Sequence, residues 1–287
     1  MLRMAERNSK KLNQLERDLP EGLIVDARWL EKRGYASNLR SYYVKHGWLE
    51  QPARGAFRRK RGRLSWQQVV ISLQTILDHP PLIVGGGTAL TLQGLNHYLS
   101  EELEEIHLYG EKVPPSWVAN LKLKQRIVYH HHSRLFEGES ASVGANDLAW
   151  DARENRGRDL TKLHGGSVTS ITWGQWDWPL ALSTPERAIL ELLDELPDRA
   201  SFHHVDKIME GLAGLRPRKL QKLLSDCRSI KVKRLFFFFA DRQQHAWLKH
   251  LDKKSINLGT GKRLLVKGGS LDPVYHITVP QDLDNDY

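Results

Sequence analysis

A chain of 287 residues with 40% apolar and 27% charged side chains is long enough for two or three compact units, and its composition excludes collagenous, low-complexity and wholly disordered polymers. No window approaches the ~18 consecutive apolar residues of a membrane span, so none is expected. The formal charge of +9 is confined to one end: residues 1–63 hold 16 Lys and Arg against 7 Asp and Glu, whereas residues 64–287 hold 27 of each. Such a concentrated surplus is attracted to polyanions of any sequence, because each cation that meets a phosphate releases a condensed counterion.

The first 19 residues are polar and charged and lack the apolar centre of a signal peptide. Leu12, Leu15 and Leu19 recur at helical spacing, and Pro20 and Gly22 stop that helix. A second helix is expected over residues 26–32, with Ala27, Trp29 and Leu30 inward and Gly34 at its end. Ser37 or Asn38 suits the N-cap of a third helix, which runs to about His46 with Leu39, Tyr42 or Tyr43, and Val44 inward. Two extended runs, 48–50 and 56–58, flank a Pro/Gly turn and predict a small hairpin. Two helices around a tight turn, followed by a hairpin, are the pattern of a winged helix-turn-helix, and residues 1–63 are expected to form that domain.

Its function is expected to be DNA binding. The polar face of the third helix would hold Asn38, Arg40, Ser41 and Lys45, since Arg forks onto guanine and Asn onto adenine in the major groove. Arg54 at the hairpin tip would enter the minor groove or hold a phosphate. Arg58, Arg59, Lys60 and Arg61 read as phosphate contacts or as a basic connector. Protein–protein docking is the other use of such a module.

Residues 64–79 carry Leu64, Trp66, Val69, Val70, Leu73, Ile76 and Leu77 at helical period, and Pro80–Pro81 break the helix. Leu82-Ile83-Val84 predicts a strand, Gly85-Gly86-Gly87 a turn, and 88–95 a helix. This glycine run is not GxGxxG, and Gly259-Thr260-Gly261-Lys262 is not a P-loop, so neither dinucleotide nor Walker chemistry is indicated. The strand, glycine turn and helix resemble the opening of nucleotidyltransferase-fold proteins. That resemblance implies a following strand with two alternating carboxylates for Mg²⁺. The candidate strand, 104–108, offers Glu105 and then His107, so the paired hard oxygens are missing. The segment reads as nucleotidyltransferase-like without catalytic residues.

His130-His131-His132 alternate in direction on a strand and show no Asp or Glu at ligand spacing. A polar strand or loop is expected there, with no metal and no cofactor. Strands are expected at 126–129 and 168–173, with Trp173, Trp176 and Trp178 as packing residues. Residues 64–180 are thus expected to form a mixed α/β domain.

The remainder, 181–287, is expected to be helical with closing strands. Ser183-Thr184-Pro185 opens a helix with Ala188, Ile189, Leu192 and Leu193 inward. Further helices are expected at 203–214, 217–227 and 231–251, the last burying Leu235 and Phe236 to Phe239. Strands are expected at 256–258, 263–266 and 275–279. Cys227 is the only cysteine, so no internal disulfide is possible, and a cytoplasmic setting fits. The fold class expected is therefore α+β: a winged helix-turn-helix, a mixed α/β body with a degenerate nucleotidyltransferase-like segment, and a helix-rich C-terminal part.

Four ordered segments resemble the AbiEi-type antitoxins of type IV toxin–antitoxin systems. They are Tyr42…Gly47-Trp48-Leu49-Glu50…Arg54-Gly55-Ala56-Phe57; Gly86-Gly87-Thr88-Ala89-Leu90…Gly94-Leu95…His97-Tyr98-Leu99; Ser183-Thr184-Pro185-Glu186-Arg187-Ala188…Glu191-Leu192; and Ile256-Asn257-Leu258-Gly259…Gly261-Lys262-Arg263. The resemblance implies a non-enzymatic antitoxin that represses its own operon by binding inverted repeats in promoter DNA. It also implies a body that neutralises a nucleotidyltransferase toxin without a stable complex. A monomer in solution, with two copies on DNA, is expected. Two rival readings are an active nucleotidyltransferase, pairing Glu104 or Glu105 with Asp147 or Asp151, and a ligand-sensing winged-helix regulator.

Overall fold

The structure, a computed structural model, describes residues 2–60, 62–77, 79–80, 82–96, 103–137, 150–151, 156–157 and 166–283. It opens with α1 (Leu2–Asp18), β1 (Ile24–Asp26), α2 (Ala27–Lys32), α3 (Ser37–Lys45), β2 (Glu50–Ala53) and β3 (Ala56–Arg58). Asp26 both ends β1 and caps α2, its Oδ1 accepting from the Trp29 N–H at 2.7 Å. Ala36, not Ser37 or Asn38, stands at the N-cap of α3, so that helix begins one residue before the expected cap allows. The three strands pair antiparallel in the order β1-β3-β2. β1, a three-residue strand between two helical stretches, is too short to show a periodicity of its own in the sequence. Leu15, Leu19, Ile24, Val25, Leu30, Tyr35 and Tyr43 are fully buried and form the core of this unit.

Ser65 and Gln68 form a reciprocal capping box at the start of α4 (Trp66–Thr75). This helix has two apolar faces: Val69 and Leu73 join the N-terminal core, while Trp66, Val70 and Ile71 join the core of the body.

The body follows with β4 (Leu82–Val84), α5 (Gly86–Leu92), β5 (Glu105–Gly110), β6 (Arg126–His131), the pair β7 (Trp150–Asp151) and β8 (Arg156–Gly157), β9 (Val168–Trp173) and β10 (Trp178–Ser183). Five of these strands make one mixed sheet in the order β6-β5-β4-β10-β9. Two of its pairings, β5 with β6 and β4 with β10, are parallel. β10 thus spans the boundary expected near residue 180, and its place between β4 and β9 ties the two sides together.

The chain then runs through α6 (Pro185–Glu195), α7 (Phe202–Gly211), α8 (Pro217–Asp226), α9 (Ile230–Gln243) and the short strands β11 (Ser270–Leu271) and β12 (Thr278–Val279). Leu235 and Phe236 to Phe239 are buried in the core, as their run demands. The helix expected to reach 251 stops at Gln243, where Gln244 takes a left-handed conformation (φ 51°). No strand forms at 256–258. The buried Arg234 takes the carbonyls of Leu258 and Gly261, each at 2.7 Å, and so removes them from any ladder. The expected strand at 263–266 shrinks to a single bridge between Arg263 and Ile277. No helix among the described residues is long and apolar enough to cross a membrane.

Candidate nucleic-acid interface and central pocket

Helix α3 divides the residues expected to contact DNA into two groups. Asn38, Ser41, Tyr42 and Lys45 are exposed, and their spacing of three and four places them on one face. Arg40 lies two positions from Asn38, about 200° around the helix. It therefore points inward with Tyr43 and is only 9% exposed. Its Nη1 donates to the Tyr35 carbonyl at 2.8 Å and to that of Ala27 at 3.4 Å. The expected polar face loses Arg40, which pins the turn between α2 and α3, and gains Tyr42. The Tyr42 ring is 40% exposed and lies 3.9 Å from the His46 ring, beside Trp48.

The hairpin divides in the same way. Arg54 is exposed in the turn between β2 and β3, and Lys60 is exposed after β3. Arg58 is 3% exposed; it pairs with Glu50 across the hairpin at 2.8 Å and donates to the Gly62 carbonyl at 2.7 Å. Arg59 is half-buried and donates to the carbonyls of Glu16 and Leu19 and to the Glu21 carboxylate. Arg58 and Arg59 are therefore fastened within the unit in this structure, in place of the open phosphate contacts expected. Arg61 lies outside the described residues.

The second site is a pocket of about 910 Å³ in the body, lined by Thr88 of α5, Glu105 and His107 of β5, Arg126 of β6, Glu195 of α6 and Arg199 of the segment that follows α6, among others. Alternation along β5 puts Glu105, His107 and Tyr109 on one face, and the parallel register sets His130 of β6 opposite Tyr109. The His130 ring stacks on both neighbours, 5.1 Å from the His107 ring and 4.5 Å from the Tyr109 ring. Helix α6 covers this face with Glu191 and Glu195, one turn apart.

The glycine run makes that closeness possible. A Cβ on Gly85 would collide with Glu191 and Tyr109, and one on Gly86 (φ 55°) would collide with Glu195. The Gly86 N–H donates to Glu191 Oε2 at 3.0 Å, and Arg187 holds Oε1 at 2.7 Å. Burial raises the Glu191 carboxyl above its ordinary range, against the pull of Arg187 and the Gly86 N–H. The glycines thus receive carboxylates from α6.

At the mouth of the pocket Arg126 donates to Glu105 and holds its carboxyl below the ordinary value. Burial, with help from His107 and Arg199, lowers His130 to about 4. Inside, His107 Nδ1 lies 3.0 Å from His130 Nε2 and 2.9 Å from Glu195 Oε1. Sequence spacing found no acidic partner for the histidine run, because Glu195 arrives from α6 and His107 from the adjacent strand. Only the Glu105/His107 alternation was visible in the sequence. Of the distant acids considered for metal catalysis, Asp147 and the side chain of Asp151 lie outside what is described.

Residues 103–280 match a family described as transcriptional regulator, AbiEi antitoxin, type IV TA system. Residues 8–101 match the family described as transcriptional regulator, AbiEi antitoxin N-terminal domain. No curated protein matches the chain. Among solved structures it is similar to the RV2827C protein from Mycobacterium tuberculosis, at 15% identity and a TM-score of 0.56, over 94% of this chain and 90% of that one. At that identity the likeness establishes the fold alone.

Proposed function

The chain belongs to the AbiEi family of transcriptional regulators and antitoxins of type IV toxin–antitoxin systems, and we propose that it represses its own operon through its basic N-terminal unit while the body neutralises the toxin. In this reading residues 1–63 act as a winged helix-turn-helix: α3 enters the major groove of an inverted repeat and the β2–β3 turn is the wing. The observation that carries it is the exposed α3 face of Asn38, Ser41, Tyr42 and Lys45, in the segment that holds the whole +9 surplus. Asn supplies paired donor and acceptor for adenine, Ser reads either base edge, and the tyrosine ring offers apolar contact to a thymine methyl. Lys45, Arg54 and Lys60 supply phosphate contacts. The protein acts as a monomer that places two copies on the repeat. The functional partner is a nucleotidyltransferase toxin, neutralised without a stable complex. On β5 the residues alternating on one face are Glu105 and His107, which favours a non-enzymatic body over paired-carboxylate catalysis.

A gel shift on DNA from upstream of its own gene, with scrambled competitor, tests this. Asn38→Ala is expected to cost about 1–3 kcal/mol on the specific site and little on scrambled DNA. Arg54→Ala is expected to weaken both alike and to reduce the salt slope by about 1. Specific binding left intact by Asn38→Ala and Lys45→Ala together would remove α3 from the groove and return the module to a docking role.

A further inference from the structure

We propose that His107, His130 and Glu195 form a binding site for one divalent transition-metal ion of the zinc class, with a remaining coordination position open to the central pocket. Each of His107, His130 and Glu195 offers one ligand atom, and the three atoms lie within 4.8 Å of one another. The two separations from His107, 3.0 and 2.9 Å, are close to the ~3.3 Å expected between donors on a tetrahedral ion with bonds of about 2.0–2.2 Å.

One tautomer of His107 presents this cluster with a lone pair for a cation. With the His107 ring proton on Nε2, toward the Glu105 carboxylate at 3.5 Å, Nδ1 keeps the lone pair that a metal ion takes. His130 can donate one proton to that lone pair. Glu195 Oε1, which already accepts from the Tyr109 hydroxyl at 3.2 Å, then meets it lone pair to lone pair. A cation between the three atoms satisfies all of them together.

The surroundings have the form of a metal site's outer layer. Glu105 backs His107 as a carboxylate backs a ligating imidazole, and the Tyr109 hydroxyl orients Glu195. Gly86 leaves the room that Glu195 occupies. Two imidazoles and one carboxylate select zinc-like ions over Mg²⁺, which prefers oxygen ligands. His107 and Glu195 line the 910 Å³ pocket beside Arg126 and Arg199, so the open position would take water or an anion.

The test titrates the metal-stripped full chain with Co²⁺ and then displaces it with Zn²⁺. One Co²⁺ per chain is expected, with the visible absorption of low-coordinate cobalt, and Zn²⁺ is expected to quench it while Mg²⁺ does not. His130→Gln should abolish the signal. Glu105→Gln, which touches no proposed donor of the ion directly, should weaken Co²⁺ binding about 10–100-fold. His131→Gln, on the exposed neighbour, should leave it unchanged and serves as the control for surface histidines. Absence of 1:1 uptake, uptake undiminished in both His130→Gln and Glu105→Gln, or displacement by Mg²⁺ as readily as by Zn²⁺ would overturn the assignment. Far-UV circular dichroism of each variant separates loss of the ion from loss of the fold, and Glu105→Gln keeps the test decisive if His130→Gln does not fold.

Discussion

Arg40 and Lys45 sit on the same nine-residue helix, and both are cations, yet they do different work. Lys45 is exposed, whereas Arg40 spends its guanidinium on the carbonyls of Tyr35 in the preceding turn and Ala27 at the start of α2, lies 5.9 Å from the Phe57 ring centre and is 3.9 Å from Glu31. Removing Arg40 leaves the buried Tyr35 carbonyl without its donor. Arg40→Ala is therefore expected to lower the stability of the protein by about 1–3 kcal/mol, the range for a charged hydrogen bond broken in a buried setting. Its ratio of specific to scrambled DNA affinity is expected to stay unchanged. Urea unfolding beside the gel shift checks both; an unmoved midpoint with a collapsed ratio would put Arg40 back in the groove. Cys227 shows the same inward use of a reactive type, since burial pushes its thiol up to about 11 and leaves it unreactive at neutral pH.

Element by element, what the sequence made legible depended on how local its cause was. The third helix, the hairpin, the start of α4, the glycine turn and the Pro185 start of α6 rest on neighbours within a few residues, and each stands close to its expected place. The three-residue β1, the early end of α9 and the missing strand at 258 depend on partners far along the chain, which no periodicity records. The same holds for the pocket: Glu105 and His107 were visible as an alternating pair, but His130, Glu191 and Glu195 join them only through sheet register and helix packing. The Pro185 helix illustrates the point chemically. Its Glu186 is nearly fully buried and accepts three hydrogen bonds from Arg216, two from the guanidinium and one from the backbone N–H, at 2.8–2.9 Å. Burial opposes the carboxylate, but these bonds prevail and hold its pKa below the ordinary 4.5. The link between α6 and α8 is then fully present above that value and is lost as pH falls through the lowered pKa. Arg216→Gln is expected to cost about 1–3 kcal/mol at neutral pH, less than a wholly buried pair because half of the Arg216 side chain meets water. Unfolding measured across acidic pH should show the gap between wild type and variant constant near neutrality and closing in acid; a gap that widens in acid would refute the linkage.

At the scale of the whole molecule, α4 packs into both the basic unit and the body, and the two are expected to unfold together. Its Val69 and Leu73 belong to the N-terminal core and its Val70 and Ile71 to the other, so neither core is complete without the helix. Polar links cross at the same place. The Ile24 N–H donates to Ser72 Oγ at 2.9 Å. The Gln74 amide bridges the sheet, donating to the carbonyls of Leu82 and Ala181 and accepting from the Ala181 N–H. Cutting the chain after residue 63 would leave the Val69 and Leu73 face bare, so point variants are the sounder probe. Leu73 is fully buried, and Leu73→Ala is expected to cost about 2–5 kcal/mol. Because the helix is shared, that cost should move a single transition, with DNA retention and far-UV signal lost together. Operator DNA bound to the N-terminal unit should by the same coupling raise the melting temperature of the body, since a ligand that binds only the folded state stabilises everything that unfolds with it. Two separate transitions, of which Leu73→Ala shifts only the one reporting DNA retention, would instead mean that the cores fold independently and that events at the DNA leave the central pocket untouched.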